Sequence, residues 1–174
     1  MLRILFFSSC ILFSLGSFSQ PAGKLFIDAA IGKLQHAKVY TLKVAEAMPD
    51  SKYAFRPTEE EMNFGDQLLH LAENLDWLAS EYLLKEATPF KESDKRKYKK
   101  EEVIGVVTQA YDYAINALVH FDISHLADTV HFFAGPMNKL QIINLISDHQ
   151  THHRAQMIVY LRLNGIKPPD YVGW

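Results

Sequence analysis

Apolar residues recur at three- and four-residue intervals along most of this chain, the spacing that gathers them on one face of an α-helix. The first such stretch runs over residues 24–48, with Ile27, Ile31, Leu34 and Ala45 on its apolar face, and Pro49 cannot continue it. A linker follows that carries Pro57 and a capped-turn pattern from Thr58 to Glu61. The second stretch, residues 63–86, places Leu68, Leu71, Leu75, Leu78 and Tyr82 on one stripe. A basic run, residues 91–100, reads as a solvated connection into a third helix over residues 101–120. Gly135 and Pro136 close the next loop. Asn138 with Gln141 three residues on then forms an N-cap and its reciprocal partner. The fourth helix runs to about Asn164, where Gly165, Pro168 and Pro169 end it.

Each of the four stretches has one wide apolar face and a polar back, the pattern of helices packed around a shared core. There are no β-hairpin signals and no internal repeats, so the predicted class is all-α, a four-helix bundle. Its connections are longer than those of a tight up-and-down bundle, which predicts at least one crossover.

The first twenty residues follow a different pattern. Arg3 precedes an apolar run from Ile4 to Leu15, and Ser17 and Ser19 supply the small residues of a peptidase site. Residues 1–19 are therefore predicted to be a cleaved signal peptide, and residues 20–174 the exported, periplasmic or secreted domain. The apolar run is shorter than the roughly 20 residues that span a bilayer, so no stable anchor is expected after cleavage. Cys10 is a poor lipidation site, because bulky Phe7 stands three residues before it and the apolar stretch ahead of it is short.

Composition narrows the chemistry. With 48% hydrophobic and 22% charged residues, the chain is that of an ordinary globular protein, and its formal charge of −2 offers no basic field to track nucleic-acid phosphates. One cysteine, Cys10, excludes an internal disulfide and any zinc site of several thiolates. It also falls within the predicted signal peptide. Metal or catalytic chemistry in the mature domain therefore rests on His, Asp, Glu and water.

Eight histidines are present. His36 falls opposite the apolar face of the first helix, and His120, His125 and His131 fall at a helix end or in the loop beyond it. The fourth helix differs. Asn144, Asp148, Thr151, Ala155 and Arg162 lie around one side, whereas His149 and His153 share the other with Ile142, Ile146 and Tyr160. His152 falls at the edge of the polar side. Two histidines at i and i+4 can converge on one metal ion, or they can be core histidines bonded to carbonyls and waters. About 0.4 such pairs are expected by chance in a chain this rich in histidine, so spacing alone leaves both readings open. A metalloprotease motif is excluded, because Gln150 stands where its glutamate base follows the first histidine. A third ligand would come from His70 on the second helix. Periodicity places His70 away from the leucine stripe, on a side with Asn74, Trp77 and Glu81.

Two segments around these histidines resemble the DinB/YfiT-like superfamily of metal-binding four-helix bundles. One is Arg56-Pro57 followed by Asn63-Phe64-Gly65-Asp66-Gln67-Leu68-Leu69-His70-Leu71-Ala72. The other is Asp148-His149-Gln150-Thr151-His152-His153-Arg154-Ala155-Gln156, continuing through Tyr160-Leu161-Arg162-Leu163-Asn164-Gly165 to Pro168-Pro169. Ala155 stands where the family commonly has glycine. The resemblance implies that His70, His149 and His153 form a triad for a divalent ion (zinc, nickel or iron), with positions left open for water or substrate.

The activity it implies is that of a metal-dependent enzyme acting on a small molecule, a hydrolase or a thiol-dependent transferase or isomerase. A non-catalytic exported bundle that binds a metal or ligand is the alternative. Export disfavours thiol transfer, since the usual thiol cosubstrates are cytoplasmic. Asn74, Trp77, Gln156 and Tyr160 are the expected pocket or supporting residues, and a homodimer is a further expectation.

Overall fold

The computed structural model describes residues 22–96 and 99–172. The predicted signal peptide, with Cys10, lies outside them. Four helices make up the bundle: α1 (Ala22–Ala47), α2 (Phe64–Leu78), α3 (Lys100–Val119) and α4 (Lys139–Leu163). The all-α four-helix class read from periodicity is the observed one.

The helix ends follow local chemistry. The Asn63 side chain accepts from the Asp66 backbone N–H and caps α2. At α4, the Asn138 side chain accepts from the Gln141 N–H, and the Gln141 side chain accepts from the Asn138 N–H, a closed capping box. Gly165 ends α4 with φ +72°, a conformation that strains residues bearing a Cβ. Lys100 opens α3 and donates its Nζ to the Glu46 and Met48 carbonyls at 2.6 and 2.9 Å, satisfying the C-terminal end of α1.

The linker segment from Thr58 to Glu61 makes a turn, with Glu61 N–H on the Thr58 carbonyl at 3.4 Å, and Asn63 caps α2 beyond it. The structure departs from the sequence reading at two places. Beyond Leu78 the helix loosens into a π-helical turn, Ala79–Leu84, and Lys85 stops it at φ 58°. The loop before α4 holds a two-residue antiparallel pairing, β1 (Thr129–Val130) with β2 (Met137–Asn138), which closes across Gly135. It is too short to leave an alternating pattern in the sequence.

α1 packs against α3 and α4, and α2 packs against the same two helices. The consecutive pairs α1–α2 and α3–α4 therefore stand diagonally, and the connections between them cross an end of the bundle. The core they share includes Leu34, Val44, Leu68, Leu75, Val107, Tyr111, Ile142 and Met157, each nearly or wholly inaccessible. Among the described residues no helix is long and apolar enough to cross a membrane. The diagonal arrangement sets α2 beside α4, and it brings the side of α2 that carries His70 to the His149–His153 face.

Candidate metal centre

His70 comes from α2, and His149 and His153 from adjacent turns of α4. One ring nitrogen of each lies within 4.8 Å of the others. The His70 ring centroid is 5.0 Å from that of His149 and 4.7 Å from that of His153. His153 is buried, and the other two are half-buried.

The donor set fits a metal ion on two observations. First, the Nε2 atoms of His149 and His153 are 3.2 Å apart. Two nitrogen ligands of one tetrahedral ion at roughly 2.05 Å stand about 3.3 Å from each other. Second, His153 Nδ1 meets Gln67 Oε1 at 2.5 Å, and a carbonyl oxygen can only accept, so Nδ1 carries the proton. That leaves the Nε2 lone pair facing the other two histidines, the tautomer a ligand needs. Gln67 is itself fixed, because its Nε2 donates to Gln156 Oε1 at 2.5 Å and to the Tyr160 hydroxyl at 3.4 Å. Tyr160 in turn donates to the Met62 carbonyl at 3.1 Å, and Gln156 contacts His152 at 2.9 Å.

Electrostatics keep the imidazoles neutral. Burial, reinforced by the neighbouring imidazoles, pushes His149 down to about 4 and His153 to about 3. Burial also lowers His70, opposed by the nearby Glu73 carboxylate. At neutral pH all three offer lone pairs without first losing a proton.

A cavity of about 460 Å³ adjoins the cluster through His70. Trp77, Phe90, Asn74 and Thr88 form much of its wall, and the carboxylates of Glu73 and Glu92 complete it. A second cavity of about 260 Å³ shares His70, Glu73 and Phe90, and adds Met62, Asp66 and Lys95.

Of the supporting residues expected from sequence, Asn74 and Trp77 line the larger cavity with His70, whereas Gln156 and Tyr160 reach the cluster through Gln67. His36, His120, His125, His131 and His152 are exposed, and none of them joins the triad.

Two positions beside the triad carry no signal in the sequence pattern. Gln67 lies three residues before His70 and was one polar residue among many until α4 was placed beside it. Glu73 lies one helical turn beyond His70. Its i+3 spacing was visible, but only the fold shows that the two share a cavity.

A four-helix bundle whose adjacent helices α2 and α4 bring three neutral histidines together, beside a cavity of about 460 Å³, is a histidine-triad bundle that could hold a metal ion. The chain belongs to the DinB family, whose match spans residues 30–173. Two solved structures share the fold, a DinB-like protein from Bacillus cereus and another from Bacillus subtilis. The first superposes with a TM-score of 0.70 at 16% identity, and the second with 0.69 at 16% identity. Each comparison covers 83% of this chain and 96% of the other. No curated protein matches the chain at a significant level.

Proposed function

We propose that this protein is a metal-dependent enzyme of hydrolase type, with His70, His149 and His153 holding a divalent ion beside the cavity that receives a small-molecule substrate. The observation that carries the reading is the three ring nitrogens within 4.8 Å of one another at the edge of a 460 Å³ cavity. When bound, a divalent ion supplies Lewis-acid polarisation of an electrophile and activation of water at neutral pH.

The remaining work falls to the chain. Gln67 holds the His153 ring by its Nδ1–H, so that Nε2 keeps its direction. Trp77 and Phe90 exclude water from the cavity and bound the apolar part of a substrate. Asn74 offers an amide that can donate to or accept from a substrate polar group. Glu73 is the carboxylate on the His70 wall of the cavity, paired with Lys95 Nζ at 2.8 Å, and it sets the charge that a bound ligand meets there.

Hydrolysis is preferred over thiol transfer on the export expected from residues 1–19. It is preferred over simple binding because three histidine nitrogens at the cavity edge would leave positions on an ion open for water and substrate. The test is elemental analysis of the purified protein and of His149→Ala, followed by ester, amide and phosphate substrates with the metal-loaded protein. One ion per chain, lost in His149→Ala, and turnover abolished by His70→Ala are expected. Wild-type protein that takes up no ion overturns the metal centre, and a loaded protein without turnover reduces it to a binding site.

A further inference from the structure

We infer that the cavity beside His70 is a subsite for an organic ammonium group, so that the small molecule taken by this protein carries a positively charged, partly apolar end. The link to a reaction rests on the metal-centre reading above; the subsite itself rests on the cavity.

Charge is the first argument. Two carboxylates, Glu73 and Glu92, line the cavity, and among the described residues no lysine or arginine does. Both are bridged by Lys95 Nζ, at 2.8 and 3.1 Å. That ammonium belongs to the lining of the adjoining smaller cavity instead. Among the described residues, two carboxylates sharing one ammonium leave the wall of the larger cavity net negative. An anionic ligand would have to lie against it, whereas a cation is drawn in.

The aromatic walls are the second argument. The Trp77 indole is stacked by Phe132 at 5.7 Å and by Phe133 at 6.3 Å, each inclined 29°, and Tyr82 meets it edge-on at 5.6 Å. It is therefore held in place before any ligand arrives. Phe90, 9% exposed, forms another part of the wall. Aromatic rings with carboxylates nearby are the chemistry that recognises alkyl- and arylammonium groups, and indole is the best of the rings for it. The Asn74 amide and the Thr88 hydroxyl, also on the wall, supply acceptors for ammonium N–H groups.

Position is the third. Glu73 and Trp77 follow His70 by one and two turns of α2, so a cation held by them extends away from the histidines along the helix. The opposite end of the same molecule then lies at the triad.

Three probes share one ring and differ only in charge: benzylammonium, benzyl alcohol and benzoate. Calorimetric titration of the full chain, chelator-treated and zinc-loaded, compares them. The chelator-treated arm is decisive, because there a carboxylate has no metal to bind. Benzylammonium is expected to bind about tenfold more tightly than benzyl alcohol, with benzoate weakest. Glu92→Gln, at an exposed position, and Glu73→Gln should each weaken benzylammonium severalfold while leaving benzyl alcohol unchanged. Equal binding of the three, tightest binding of benzoate, or no binding of benzylammonium overturns the subsite. Loss of zinc uptake with the cation preference intact overturns only the metal centre, so the two failures are separable.

Discussion

Two buried side chains show how single residues set the behaviour of this protein. Gln67 is 1% exposed and, among the described residues, is the one that bonds a triad imidazole at the nitrogen turned away from the cluster. Replacing it with leucine leaves the ring free to rotate and to change tautomer. Gln67→Leu is expected to weaken zinc binding about 10–100-fold in competition with a chelating dye, and Gln67→Glu, which keeps an acceptor for Nδ1–H, to restore most of it.

Asp76 is the second residue. It is 5% exposed, and its Oδ1 has no hydrogen-bond partner among the described residues. Burial, with the Asp94 charge adding, lifts its carboxyl to about 7. The folded protein thus holds this proton more tightly than the unfolded chain, whose carboxyl titrates near 3.8. Its stability is greatest below about pH 4, falls as the pH rises through 7, and is level above that. Asp76→Asn keeps the shape of the neutral acid and removes the titration. Its thermal midpoint should match wild type near pH 4 and exceed it at pH 8 by about 5 °C, corresponding to about 2 kcal/mol after allowance for solvent screening. A constant gap between the two proteins from pH 4 to pH 8 would remove Asp76 as the cause.

Among the elements, α4 was the most legible in the sequence, and it also held the largest surprise. Its capping box and terminal glycine are local chemistry, written within a few residues, and periodicity alone turned His149 and His153 inward with Ile142 and Ile146. Periodicity could not bury Gln150 and Arg154, which are 1% and 4% exposed. They are buried because other helices supply their partners. Tyr111 on α3 donates to Gln150 Oε1 at 2.9 Å and shares a 2.8 Å bond with Thr41 on α1. Arg154 donates to Gln150, to Thr41 at 3.3 Å and to Thr151 at 3.2 Å, and its guanidinium lies 5.2 Å from the Tyr40 ring.

This network pins α4 to α1 and α3 on the side away from α2. It thereby fixes the rotation that aims the histidines at His70. The His70 position was illegible for the same reason: its angle on α2 was plain, but which neighbour faced it depended on the diagonal packing. Tyr111→Phe removes the hydroxyl that joins the three helices and leaves Thr41 and Gln150 short of a partner. Urea denaturation should show a loss of about 1–3 kcal/mol with an unchanged slope. A loss within experimental error would mean that the contacts are spectators and that α4 is oriented by its apolar face alone.

Taken over the whole molecule, the triad is a place where folding opposes protonation, and where a bound metal ion would oppose it further. His149 and His153, pushed down to about 4 and about 3, stay neutral in the folded protein, while the unfolded chain protonates them near 6.5. Their contribution is therefore fully present above about pH 6.5 and is lost as the pH falls toward 3, the reverse of the Asp76 effect. A metal ion that binds the folded triad strengthens this coupling, because it competes with the same protons and has far weaker ligands in the unfolded chain. At a free zinc concentration a thousandfold above the dissociation constant, the gain is about 4 kcal/mol. For a chain of this length that raises the thermal midpoint by about 10 °C. The shift should vanish on adding a chelator, shrink between pH 6 and pH 4 as protons displace the ion, and be absent from His149→Ala throughout. Scanning wild type and variant with and without zinc at several pH values separates the causes. Acid lability without a zinc-dependent shift would leave three neutral imidazoles, one buried and two half-buried, that only pack against the core, and the metal-centre reading would fall with it.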